Sequence, residues 1–333
     1  MYEFFRPILE FNNPVAYAIP FFFLLMAIEI YLNWKDRSEN YVFKDAAASL
    51  GMGLGSIFSD LIPKSIAFIV FTHLYEEFGF FKEALSFTFL GWFLLFIGDD
   101  FSYYWHHRTS HQVRLFWAAH VAHHSSQHYH LATALRQSWG EMWYKYTFYL
   151  WLAFLGFDPI MILTQVSISL IYQFWIHTVY IKKLPWIFEF IFNTPSHHRV
   201  HHSSDIEYLD KNHGGILIIW DRIFGTFKAE DKPIKYGITS NIDTYNPLKI
   251  ATHELVSIWK DIRKAPTFKA KLGYLFCPPG WSHDGSTQIA KIIQAQYADY
   301  LKENPNGNEA DFLASLEKET KKETKTELPF IKN

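Results

Sequence analysis

DDFSYYWHHRTSHQVRLFWAAHVAHHSSQHYHLATALRQS, residues Asp99 to Ser138, decides how the rest of the chain is read. It carries eight of the 17 histidines, and SHHRVHHSSD, Ser196 to Asp205, carries four more. The spacing is that of side chains on one helical face. His107 and His111 are four apart; His120, His123 and His124 read H-x-x-H-H, and His198, His201 and His202 repeat it. Residues at i, i+3 and i+4 lie on one side of a helix, so each triplet can turn two or three imidazoles towards one centre. Eight imidazoles from three segments exceed what one ion takes and suit two.

Just upstream, Ala84 to Gly98 is apolar and is expected to continue as one helix through Asp99 and Asp100 to His111. Asp100, Tyr104, His107 and His111 then form one stripe, where the Asp100 carboxylate could accept the outer N–H of a ligating imidazole and fix its tautomer. Asp99 lies about 100° round the helix and is the weaker candidate. The plainer readings of Asp100 are a pair with Arg108 or a capped turn.

Composition gives the class. Of 333 residues, 32 are Phe, 19 Tyr and 12 Trp, concentrated in long apolar runs. Val15 to Trp34 has the ~20 residues a bilayer span needs, and Lys35 to Arg37 follow as a cytoplasmic flank. Ala46 to Tyr75 is interrupted at Ser59-Asp60 and Pro63-Lys64 and reads as a broken helix, with GMGLGS (Gly51 to Ser56) allowing close helix packing. Glu141 to Phe157 and Pro159 to Thr178 give two more apolar helices, the second ending in His177. IKKLPWIFEFIFNTP, from Ile181, reads as a segment lying in the membrane interface. The fold expected is an all-α integral membrane protein with about four transmembrane helices, one region broken, and a histidine-rich helical cap. Lys35, Arg37, Arg108, Lys182 and Lys183 place that cap on the cytoplasmic side of a bacterial inner membrane or an endoplasmic reticulum membrane.

The expected organisation is a membrane domain over residues 1–227, an extension over 228–287, and an amphipathic helix with a charged mobile tail over 288–333. MYEFFRPILEFNNP lacks the basic start of a signal peptide. The single Cys277 excludes an internal disulfide, and a formal charge of −2 gives no argument for nucleic acid as a partner.

The histidine pattern points to a metal. Imidazole suits zinc, copper, nickel and iron alike, so ligand type leaves the metal open. A structural zinc site closes with four ligands; eight or more histidines imply a binuclear site with room for an exogenous ligand. Neutral ligands around two dications favour anionic oxygen species, which fits oxygen activation beside an apolar substrate. Tyr103, Tyr104, Trp105, Trp117 and Trp139 are candidates to line the substrate path, or packing.

D-x-x-x-Y-W-x-H-R-x-x-H from Asp100, H-x-x-H-H-S-S from His120 and H-x-x-H-H from His198 resemble the membrane fatty acid hydroxylase and sterol desaturase superfamily, di-iron enzymes that oxidise lipid C–H bonds. HHSS-x-x-Y-x-L-x-T-A-L-R-Q-S (His123 to Ser138), QFWIHT (Gln173 to Thr178), NTPSHHRVHH (Asn193 to His202) and the run from Asp210 to Phe227 are similar to its alkylglycerol monooxygenase branch. That branch cleaves glyceryl ethers with oxygen and a tetrahydropterin, and the similarity runs from roughly Tyr17 to Trp281. The resemblance implies two iron ions held by His107, His111, His120, His123, His124, His198, His201 and His202, with His177 as a ninth ligand. It implies a membrane lipid and O2 as partners; the pterin rests on it alone, and the electron donor is open. His130 and His213 stand where the pattern has Asn and Tyr. His130 is expected behind the ligands or as an extra one, His213 as a supporting group, and Gln173, four before His177, within the site. His106 and His197 point away; His73, His253 and His283 look incidental.

Two other readings compete. A fatty acid or sterol hydroxylase or desaturase fits the histidines equally. A histidine-rich membrane metal transporter would need polar groups at the midplane of several spans, and a haem protein would show isolated histidine pairs facing each other.

Overall fold

The computed structural model describes residues 13–38 and 41–316. The expectations for the N-terminal segment before Asn13 and for the charged tail after residue 316 lie outside the described residues. Among the described residues the chain is helical, with β-pairing limited to two isolated bridges, Phe192 with Leu217 and Ser203 with Tyr236.

Helix α1 (Pro14–Lys35) starts where the sequence signals it. The Asn13 side chain accepts from the Val15 N–H, and Pro14 takes the first turn, where its missing N–H costs nothing. Its 22 residues extend about 33 Å. Only Phe22, Met26 and Glu29 are buried, whereas Tyr17, Phe21, Phe23, Leu24, Ile28 and Tyr31 are exposed. An apolar helix this exposed is of the kind that lipid covers. Glu29 is the exception with a purpose: it accepts from the Leu131 N–H at 2.7 Å and the Thr178 hydroxyl at 2.6 Å, tying α1 to the loops on either side of the histidines.

Helices α2 (Phe43–Ser59) and α3 (Leu61–Phe78) form the expected broken pair, bent by 47° at Asp60. The glycine run does allow close packing. A Cβ on Gly55 would lie 2.3 Å from the Trp139 ring, and Trp139 donates to the Met52 carbonyl at 2.9 Å. Trp139 is therefore packing, not a wall of the substrate path.

Helix α4 (Phe89–Gln112) runs unbroken through Asp99 and Asp100 to the first histidines, as its pattern predicts. Its start differs from the expectation. Lys82–Leu85 is a separate turn, Phe87 sits at φ +56°, and the Thr88 side chain caps α4 by accepting from the Gly91 N–H. Gly91 is required there, since a Cβ would meet the Leu85 carbonyl at 1.7 Å. After Val113, α5 (Arg114–His124) turns back along α4.

The stretch expected as one helix over Glu141–Phe157 is three short pieces instead, Met142–Lys145, Tyr146–Tyr149 and Leu150–Leu155, closed by Gly156 at φ +109°. It is crowded with aromatic rings of modest helix propensity, and these fill the core rather than line a span. Tyr146, Tyr149 and Leu152 pack with Phe71 of α3, Leu95 of α4, and Met161 and Ile162 of α6 (Pro159–Trp175). The interface segment holds a short helix, α7 (Trp186–Ile191), with Trp186, Ile187, Phe188 and Phe190 exposed. Helix α8 (Pro195–His201) carries the last histidines.

The later residues pack back on this frame. Helix α9 (Pro247–Lys264) places Ile250 against Ala48 and Met52 of α2 and Ala122 of α5, and Arg114 pairs with Glu254 and Asp261 at 2.7 Å each. Helix α10 (Phe268–Phe276) follows it, and α11 (Ala290–Glu303) packs by Tyr297 on Ile206.

Candidate metal centre

Nine histidines meet in two adjacent groups. His107, His111, His120, His124 and His201 form one; His123, His177, His198 and His202 form the other. Within each, one nitrogen per residue lies within 4.8 Å of all the others. Two imidazole nitrogens on one ion, each ~2.1 Å away, are at most ~4.2 Å apart, so the groups are close to the size an ion takes. The groups touch: the His124 and His202 rings stack at 4.5 Å, and the His198 and His201 centroids are 5.2 Å apart.

The second hydrogen bonds of these rings make the case for a cation. His107 Nδ1 donates to the His213 carbonyl and His201 Nδ1 to the Lys211 carbonyl, both at 2.8 Å. His111 Nδ1 faces the Asp210 carboxylate at 3.3 Å, and His120 Nδ1 faces Glu141 at 3.4 Å. An imidazole that donates from Nδ1 keeps a lone pair on Nε2. Four lone pairs of the first group therefore converge, and His107 Nε2 lies only 3.0 Å from His120 Nε2. Neither can donate to the other. The Nε2 atoms of His111, His201 and His202 are buried with no partner. A cation between them turns this repulsion into ligation, so the residues present fit a bound metal. In the second group His177 Nδ1 donates to the Gln173 carbonyl at 2.8 Å, with His198 Nε2 2.9 Å from His177 Nε2.

Burial keeps the rings neutral. It pushes His123, His124, His198, His201 and His202 well below the ordinary histidine range, with neighbouring imidazoles adding to the effect. His177 is lowered by burial to about 4, against the Gln173 and Phe174 carbonyls, which favour its charged form. Neutral imidazole is the form that binds metal.

Glu141 is the residue the sequence reading missed. One oxygen faces His120 Nδ1 and the other His106 Nε2, both at 3.4 Å. Burial alone would raise its carboxyl, but the hydrogen bond from His120 and the nearby Lys145 ammonium hold it well below the usual range. It is thus the carboxylate that fixes the tautomer of a candidate ligand. The one available signal was that Glu141 is the sole carboxylate between Asp100 and Asp158.

The role expected for Asp100 is corrected. It accepts from the Ile216 N–H at 2.6 Å, the Leu217 N–H at 3.0 Å and the Trp220 indole at 2.9 Å. It reaches no histidine; it caps the loop whose His213 carbonyl holds His107. Arg108 does not pair with it and donates to the Tyr104 hydroxyl. His130 is corrected too. It lies outside both groups, 3.5 Å from Asp45, beside the buried Asp45–Arg136 pair. His213 supports the site by its carbonyl, while its ring stands 5.0 Å from His111 and its Nδ1 has no partner. Gln173 works through its carbonyl; its side chain donates to Ser169. His197 is held by Glu189 at 2.9 Å, and His73, His253 and His283 lie elsewhere.

A cavity of about 190 Å³ opens against both groups, touching His120, His123, His177 and His198. Tyr103 lines it. Of the other aromatic candidates, Tyr104 bonds to Thr226, Trp105 packs on Phe224, and Trp117 covers His111 and His124.

Residues 92–226 match the fatty acid hydroxylase family model. Human alkylglycerol monooxygenase is 40% identical over 279 residues, covering 83% of this chain and 62% of that protein. The zebrafish alkylglycerol monooxygenase is 37% identical, with 84% and 62% covered. Ornithine lipid hydroxylase of Rhizobium tropici is 24% identical over 233 residues, 63% of this chain and 64% of that one. The chain spans about three fifths of the length of the alkylglycerol monooxygenases it matches. No solved structure matches. All nine grouped histidines lie inside residues 92–226, so the chain contains a fatty acid hydroxylase domain and the candidate metal centre falls within it.

Proposed function

We propose that the chain is a membrane monooxygenase that oxidises a lipid C–H bond with O2 and cleaves the ether bond of an alkylglycerol. The observation that carries this reading is the pair of histidine groups facing one cavity that apolar residues of two helices, Val15 and Phe22 of α1 and Leu170 and Phe174 of α6, also line. The nine histidines are the proposed ligands of two iron ions. Bound there, the ions supply oxygen activation and removal of the hydrogen.

The chain's own residues do the rest. The five outer hydrogen bonds of His107, His111, His120, His177 and His201 set the rings before any ion arrives, so little reorganisation is needed on binding. Glu141 and Asp210 add negative charge behind the five-histidine group and stabilise the charge it gathers. Phe22 and Phe174, stacked at 4.0 Å, give the cavity a dry wall for the alkyl chain. Insertion of one oxygen atom at the carbon beside the ether oxygen gives a hemiacetal, which separates into a fatty aldehyde and a glycerol. The second oxygen atom leaves as water, which takes two electrons and two protons from a donor; a tetrahydropterin is the proposed donor, by resemblance to the alkylglycerol monooxygenases.

The proposed topology has α1, the α2–α3 pair, α4 and α6 in the bilayer, with the histidines facing the cytoplasm. Lys35, Arg37, Lys182 and Lys183 support that side. Purified, iron-loaded protein given an alkylglycerol, O2 and a tetrahydropterin is expected to release fatty aldehyde, and His124→Ala is expected to lose it. A verified two-iron preparation that makes no aldehyde refutes ether cleavage and leaves lipid hydroxylation, the reaction named for the Rhizobium relative, to be sought on acyl chains.

A further inference from the structure

We infer that the polar wall of the cavity is a head-group site for a neutral lipid carrying neighbouring hydroxyls, built by Asp60 and Lys64 at the helix break and by Ser138 and Lys145 beside the histidines. The inference rests on the ether-lipid reading and adds what orients the substrate.

The cavity has three kinds of wall. His120, His123, His177 and His198 form one; Val15, Phe22, Leu135, Leu170 and Phe174 form an apolar one; Asp60, Lys64, Gln137, Ser138, Glu141 and Lys145 form a polar one. Two of the polar groups lack hydrogen-bond partners. Lys145 is 2% exposed; among the described residues its ammonium makes no hydrogen bond, lies 5.6 Å from the Tyr103 ring and feels the Glu141 and Asp99 carboxylates only through space. Ser138 is 4% exposed and its hydroxyl bonds to nothing. A buried ammonium and a buried hydroxyl that make no hydrogen bond each cost free energy that a polar ligand would recover. Asp60 is buried at the 47° break and holds Ser59 at 3.2 Å and Lys64 at 3.4 Å, which leaves carboxylate lone pairs for a hydroxyl donor.

Charge selects among head groups. Asp60 and Glu141 carry two negative charges, Lys64 and Lys145 two positive ones, and the formal sum at this wall is zero. A diol, which both donates and accepts, matches such a wall; a phosphate would face two carboxylates. Size agrees. The cavity is smaller than the ~300–1,000 Å³ of drug-sized sites, so it takes a head group and the carbons next to it. The remaining chain then leaves past Phe22 towards the exposed face of α1. Anchoring the hydroxyls on this wall turns the adjoining ether carbon towards the histidines.

The test uses full-length, iron-loaded protein and three chain-matched probes: a 1-O-alkylglycerol, the alkyl ether of ethylene glycol, which lacks the neighbouring hydroxyl, and the 1-O-alkylglycerol 3-phosphate. Two readouts are taken, kcat/KM for aldehyde release and the rise in Tm on adding each probe to anaerobic protein. The wild type is expected to favour the alkylglycerol over the glycol ether by roughly 10-fold or more, the cost of leaving buried polar groups unpaired, and over the phosphate. In Asp60→Asn and Lys145→Met, each checked for unchanged metal content, that ratio is expected to fall towards one. A ratio is insensitive to general damage, since both probes share one enzyme. A wild type indifferent to the missing hydroxyl, or a ratio preserved in both variants, overturns the inference and leaves ether cleavage standing. Equal or better use of the phosphate overturns the neutral assignment. A wild type neither cleaving nor stabilised by the alkylglycerol removes the ether reading, and this inference with it.

Discussion

Glu141→Gln isolates the contribution of one charge to one metal. The amide can keep the geometry: its oxygen still accepts from His120 Nδ1, now at 3.4 Å from a carboxylate oxygen, and its NH2 meets the His106 Nε2 lone pair. What is lost is the negative charge that strengthens the bond and makes His120 a better donor to the ion; charge-assisted bonds are roughly twice as strong as neutral ones. Losing such a partner typically lowers metal affinity about 10–100-fold, or ~1.4–2.8 kcal/mol. The effect should be confined to one ion. His120 belongs to the five-histidine group, and Glu141 makes no hydrogen bond to His123, His177, His198 or His202. Chelator titration followed by metal analysis reads this directly. The variant is expected to release one of its two ions at ~10–100-fold lower chelator, with the second released as in wild type. Superimposable curves, or early loss of the other ion, refute the role given to Glu141.

Complete chelation is expected to lower Tm, because the Nε2 lone pairs of His107 and His120 are left facing each other at 3.0 Å; ions at 100 times their Kd contribute ~2.7 kcal/mol, and an unchanged melting curve would contradict the site. His177→Ala is expected to reduce metal content from two per chain to one, whereas His130→Ala, outside both groups, is expected to leave two. Arg136→Met strands the buried Asp45 carboxylate, 3.1 Å from the guanidinium, and should cost ~3–5 kcal/mol in detergent unfolding; pairing it with Asp45→Leu should recover most of that.

How much of this was legible follows from the range of each signal. Ligand spacing on α4, α5 and α8 is local, fixed by 3.6 residues per turn, and the sequence displayed it openly. His177 needed the resemblance, since a lone histidine at a helix end has no spacing to betray it. The partners behind the ligands were illegible for a different reason. Three of the five are backbone carbonyls, of Gln173, Lys211 and His213, and a carbonyl has no letter in a sequence. Asp100 was misassigned because a helical stripe says which side a carboxylate faces, not what faces it; the loop over residues 214–220 had arrived there first. The run from Glu141 to Phe157 was misread because continuous apolarity is equally compatible with a span and with broken turns filling a core.

The repeated H-x-x-H-H has a consequence that spacing alone did not reveal. On a helix, i and i+4 are ~40° apart, whereas i+3 lies ~60° to the other side of i. The structure uses that split: His120 and His124 of α5 go to one group and His123 to the other. On α8 the assignment is reversed, His198 and His202 joining His123's group and His201 joining that of His120 and His124. Each triplet thus serves both centres, two rings to one and one to the other, and each helix supplies what its partner lacks. Of the two or three rings that the spacing allows per centre, each triplet gives two to one group and sends the third to the other. The sharper prediction concerns neighbours in sequence. His123→Ala and His124→Ala, one residue apart, should remove different ions, while His124→Ala and His201→Ala, on different helices, should remove the same one. Cobalt-substituted protein provides the assay, since five- and four-histidine sites give distinct visible absorption. If His123→Ala and His124→Ala erase the same band, the exchange between α5 and α8 does not exist and the pairing of ligands must be redrawn. If they erase different bands, the two metal positions are locked to each other by the helices themselves, because neither α5 nor α8 can move without disturbing both.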